Sequence, residues 1–143
     1  MREELVALRP IIETIRTTDV SPIEQFQNES LRPIIKMQHD VLIGLVKSQP
    51  NFEEMLLRKG SSQQFQDKIR TFIVKQPSLK HLLIGMIVGM FTVEELAMYT
   101  KHATDFNKRI SGMICQRISD TFYWSNEIKL KKVPSLWDLF LFG

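Results

Sequence analysis

The sequence predicts an all-α protein, an antiparallel bundle of five or six helices with a buried central helix over about residues 78–91 and a long last helix over about 93–124. Three observations carry this. Apolar residues recur at helical spacing from residue 5 onward, and no apolar/polar alternation of the strand kind occurs in the first 126 residues. Two capping-box patterns, Ser21 with Glu24 and Thr92 with Glu95, mark helix starts. The chain has 143 residues, 43% hydrophobic and 24% charged, enough to bury a core without covalent staples.

In chain order, Leu5, Leu8, Ile12 and Ile15 give an amphipathic helix over residues 3–17, interrupted or restarted at Pro10. Ser21, Pro22 and Glu24 then open a helix that extends to about residue 49. On its wheel Ile23, Phe26, Leu31, Ile34, Met37, Val41, Leu42 and Leu45 fall on one half, and Gln27 and Gln38, about three turns apart, fall in the middle of it. Buried amides need hydrogen-bond partners. Pro33 has no N–H for the carbonyl of Glu29, so either a kink or a restart capped by Ser30 is expected, and a restart would undo the alignment of the two glutamines. The pentad LRPII occurs at residues 8–12 and again at 31–35, which suggests a repeated helix unit, although the flanks do not match.

Residues 51–59 form a short amphipathic turn or helix on Phe52, Met55, Leu56 and Leu57, ended by Gly60. Ser61 or Ser62 caps the next helix, carried by Phe65, Ile69, Phe72 and Ile73 and broken at residues 76–78. Residues 79–91 are apolar almost all round, so this helix should be central, and the Gly85/Gly89 spacing should let another backbone approach. The last helix has the stripe Leu96, Tyr99, Ala103, Phe106, Ile110, Met113, Ile114, Ile118 and Phe122, with Asn107 and Arg117 inside it or at its edge.

Residues 1–126 read as one helical domain and 127–143 as a tail, first basic at Lys129, Lys131 and Lys132, then apolar after Pro134. Leu136, Trp137, Phe140 and Phe142 crowd a short segment capped by Ser135, and so much apolar surface should be covered by the domain itself, a second copy or another protein. A basic-plus-aromatic anchor on a membrane surface is the alternative. The formal charge of +3 is scattered, with no base-reading motif or aromatic-and-basic groove, so no nucleic acid is expected. One cysteine, a charged N-terminus and the lack of an apolar run long enough to span a bilayer point to the cytoplasm.

The three histidines, His39, His81 and His102, come from three helices and form no metal-ligand spacing. Glu95, His102 and Asp105 share one side of the last helix, opposite the apolar stripe, and read as a solvated face. Cys115 has no residue spaced to activate it and reads as a buried thiol. No nucleophile elbow, phosphate loop or dinucleotide fingerprint occurs, and no metal site and no cofactor are expected. The inward polar set Gln27, Gln38, Asn107 and Arg117 remains, either a hydrogen-bond network that fixes helix register or the lining of a small anionic-ligand pocket.

The segments EQFQNESLRPIIKMQHD, LLIGMIVGMFTVEELAMYT and FNKRISGMICQRISD resemble, in order and spacing, a group of small all-helical bacterial proteins of unknown function, often labelled glyoxalase. The likeness covers about residues 22–121. It draws attention to Gln27, Asn28, Arg32, Gln38, Asn107, Arg109, Gln116 and Arg117. The residues themselves supply neither the strands nor the His/Asp/Glu set of a metal-dependent glyoxalase. The function expected is therefore self-association or partner binding rather than catalysis. The alternatives are an anionic-ligand-binding bundle or enzyme built on the inward polar set, and membrane-surface attachment through the tail.

Overall fold

In a computed structural model, which describes residues 2–11, 21–58 and 60–129 apart from the side chains of 124–129, the chain is all-helical with no strand among those residues. The helices are α1 (Glu3–Ala7), α2 (Pro22–Phe26), α3 (Arg32–Met37), α4 (His39–Lys47), α5 (Phe52–Leu56), α6 (Ser62–Val74), α7 (Pro77–Val88), α8 (Val93–Lys101) and α9 (Ala103–Lys129). A π-helical turn, Gln27–Leu31, joins α2 to α3.

Each start has a local cause. Ser21 accepts a hydrogen bond from the Glu24 N–H at 3.2 Å and Pro22 pre-sets the first turn of α2, although Glu24 does not return the bond. Full reciprocal boxes form at Ser61/Gln64 and Thr92/Glu95. Asn51 takes the left-handed φ of 69° that an asparagine tolerates. Gly60 has φ 68°, and a Cβ there would lie 2.2 Å from the Gln64 Oε1 that caps Ser61.

Pro33 is met by a π turn rather than by a restart capped by Ser30. The backbone stays helical on both sides, and the Arg32 N–H reaches back five residues to the Gln27 carbonyl. Widening the turn makes room for the proline ring while the backbone stays helical. The helix does break at Gln38 (φ −87°, ψ 7°), between α3 and α4. Together these two features overturn the straight wheel on which Gln27 and Gln38 shared a face.

Other expectations are corrected too. The predicted 93–124 helix divides at His102, whose φ of −136° and ψ of 39° leave the helical region. The proposed stripe fails at its start, since Leu96 is 43% exposed, but holds through Phe106, Ile110, Ile114, Ile118 and Phe122. α7 is not buried all round. Leu79, Leu83, Ile84 and Ile87 face the core, Leu82 is 51% exposed, and open space surrounds the Cβ direction of Gly85, so no backbone among the described residues packs there. The LRPII repeat is not structural: residues 8–11 lie outside any helix with Ile11 84% exposed, whereas its counterpart Ile34 is fully buried within α3. Of the predicted 3–17 helix only α1 is present among the described residues, and 12–17 lie outside them.

Aromatic rings anchor both ends of the core. Phe26 packs on Phe91 and Phe106, with centroids 5.5 and 4.7 Å away, while Phe52 packs on Phe72 and Phe122 at 5.6 and 4.8 Å. α6 lies along α9, with Phe65 against Tyr123. The contacts Phe26 with Phe106, Gln27 with Arg109 and His39 with Arg117 ascend together, so residues 26–39 run beside the first half of α9 in the same direction. That pair of segments frames the candidate site.

Candidate anion-binding groove

α3 carries Arg32 and Lys36 at i and i+4, hence on one face, and α9 carries Arg109, Gly112, Met113, Gln116, Arg117, Asp120 and Thr121 toward the same space. Between them lies an open groove of about 700 Å³. Ile35 and Met113 give it an apolar floor, and four cations stand against one carboxylate, Asp120.

Two guanidiniums are held in place by neutral acceptors. Arg109 Nη1 donates to Gln27 Oε1 at 2.7 Å, a contact that depends on the π turn carrying Gln27. Arg117 Nη1 lies 3.3 Å from His39 Nδ1. That contact requires a neutral imidazole with its proton on Nε2. Burial lowers the pKa of His39, the Arg117 charge lowers it further, and Asp40 opposes both. Gln116 Nε2 donates to Asp120 Oδ1 at 2.9 Å, which occupies part of that carboxylate. Among the described residues none of Arg32, Lys36, Arg109 and Arg117 is ion-paired to a carboxylate.

The expected network of Gln27, Gln38, Asn107 and Arg117 does not assemble. Gln38 Nε2 donates instead to the Met86 carbonyl at 3.3 Å, and Asn107 Oδ1 accepts from the Tyr99 hydroxyl. The cause is the pair of register changes, one at the π turn and one at Gln38, which sends the two glutamines to different neighbours. Asn28 is half-buried and makes no side-chain hydrogen bond among the described residues. Of the residues singled out from the sequence, Arg32, Arg109, Gln116 and Arg117 come together in the groove and Gln27 supports it from behind.

Sequence reasoning passed over Lys36 and treated His39 only as a possible metal ligand. The one available signal was Arg32 and Lys36 one turn apart on a polar edge, which matters only once α9 is known to lie beside it. The Glu95, His102 and Asp105 grouping dissolves, because the helix breaks at His102 and Glu95 pairs with Arg9. Cys115 is buried, and burial pushes its thiol up, away from the reactive thiolate. Among the described residues no three His, Cys, Asp or Glu side chains are grouped so as to hold a metal ion, and no helix is long and apolar enough to cross a membrane. The contact residues Leu136, Trp137, Phe140 and Phe142 lie outside the described residues.

Comparison of the chain with protein families, with curated proteins and with solved structures returned no match.

Proposed function

We propose that the protein binds an anionic ligand in the groove between α3 and α9, and that it works by binding rather than by catalysis. The supporting observation is the gathering of four cations with no ion-paired carboxylate among the described residues, two of them positioned by the neutral partners Gln27 and His39. Arg109 and Arg117 are half-buried and Arg32 and Lys36 exposed beside them; like charges brought together repel, and an anion placed among them relieves that repulsion. The groove volume is within the range of small-molecule sites.

Thermal denaturation in pyrophosphate, phosphate or citrate, against sodium chloride at matched ionic strength, tests this. A ligand of the native state raises stability by about 2.7 kcal/mol at a hundred times its Kd. Wild type should gain stability in at least one anion, and the double variant Arg109→Gln with Arg117→Gln should lose most of the gain. Equal behaviour in all salts would remove the proposal.

A second reading, association through the tail, rests on the density of apolar side chains at Leu136, Trp137, Phe140 and Phe142. The partner is then a second copy or another protein, and a cytoplasmic setting suits the buried, unpaired Cys115. Light scattering on the full chain and on one ending at Asn126 should give a larger species for the full chain only. Two monomers would end this reading. Binding of the full chain to anionic vesicles that weakens with salt would favour the membrane-surface alternative.

A further inference from the structure

The groove is not one cluster of charge but two charged ends with an apolar middle. Arg109 and Arg117 are eight residues apart on one continuous helix, about 12 Å along its axis. Each guanidinium is fixed separately, Arg109 by Gln27 and Arg117 by His39. Because residues 26–39 run beside α9 in the same direction, α3 supplies its cations in the same order, Arg32 toward the Arg109 end and Lys36 toward the Arg117 end. Between the ends lie Ile35, Met113 and Gly112, and the Cβ direction of Gly112 meets open space, while Gln116 and Asp120, hydrogen-bonded to each other, stand on the Arg117 side. Among the described residues no aromatic ring lines the groove, so those residues give a stacked base no platform.

We infer that the ligand is a small bis-anion, with two phosphate-like or carboxylate groups separated by an aliphatic link that lies over Met113 and Gly112. A single anion satisfies one arginine and leaves the other end unused. Two linked anions engage both ends, and the second contact forms at a high effective concentration. The inference rests on the anion-binding reading above and adds the spacing and the apolar link.

Calorimetric titration with methylphosphonate and with a series of alkane α,ω-bisphosphonates of increasing spacer separates the two claims. Affinity should rise to a maximum at a spacer long enough to reach both arginines, at least about ten-fold above methylphosphonate. Arg109→Gln and Arg117→Gln should each reduce the best bisphosphonate to the single-headed level. Gly112→Leu, a substitution with open space at its Cβ and a residue suited to helices, should weaken the best bisphosphonate about ten-fold, more than it weakens methylphosphonate. Affinity independent of spacer, or greatest for methylene bisphosphonate, would overturn the bis-anion while leaving anion binding standing. No binding of any phosphonate, together with no thermal response to anions, would remove both. Tighter binding to phosphatidylglycerol vesicles than to every bisphosphonate would place the anion on a membrane surface and also overturn the inference.

Discussion

Arg9 and Glu95, 86 positions apart in the chain, form a bidentate pair at 2.7 and 2.8 Å, with the arginine side chain 7% and the carboxylate 14% exposed. Burial raises the Glu95 pKa, but hydrogen bonds from Arg9, the Ser30 hydroxyl and the Thr92 N–H, with the Arg9 charge, outweigh it and hold the carboxyl at about 2. A carboxyl held below its unfolded value stabilises the fold above about pH 4.5, and that contribution is lost as pH falls from there toward 2. After allowance for solvent screening, wild type should lose about 1–2 kcal/mol in this window that Glu95→Gln does not lose, read from denaturant melts at several pH values. At neutral pH, Arg9→Met removes one partner of a buried pair and should cost about 2–3 kcal/mol. At the groove, His39 is kept neutral by burial and by Arg117, so Arg117→Gln should raise its pKa toward the ordinary value in an NMR titration. An unchanged His39 would mean that the contact at 3.3 Å has no electrostatic consequence.

At the scale of elements, the starts were legible and the interruptions were not. Ser21, Ser61 and Thr92 cap where their side chains and following residues say they should, because capping is decided within four residues. The π turn and the breaks at Gln38 and His102 arise when packing on a neighbour competes with local hydrogen bonding, and a wheel drawn on one helix carries no term for the neighbour. Gly60 is a legible exception, since its φ of 68° and the Gln64 side chain at its Cβ both exclude a larger residue. Gly60→Ala should cost about 1 kcal/mol or more in denaturant melts. Pro33→Ala restores an N–H and removes the ring that the widened turn accommodates. It should tighten residues 27–31 toward an α-helix, move Gln27 off Arg109, and weaken anion binding several-fold with the fold retained.

For the whole molecule, the all-helical class and most of the core followed from apolar spacing, because burial of Phe106, Ile110, Ile114, Ile118 and Phe122 is a property of one helix face. The site was only half legible. Arg32, Arg109, Gln116 and Arg117 were named, yet their meaning depended on residues 26–39 lying beside α9 in the same direction, a tertiary fact. The expected four-residue network failed for the same reason, since each amide found a nearer partner than the ones proposed. The groove therefore carries the account, and its two fixed guanidiniums are the groups to watch. The most direct measurement follows the arginine Nε–H resonances by NMR during a pyrophosphate titration at constant ionic strength. Anion binding in the groove predicts saturable shifts of Arg109, Arg117 or both, each at its own affinity, while the exposed Arg58 stays still. Equal, non-saturating drift of all three would contradict it.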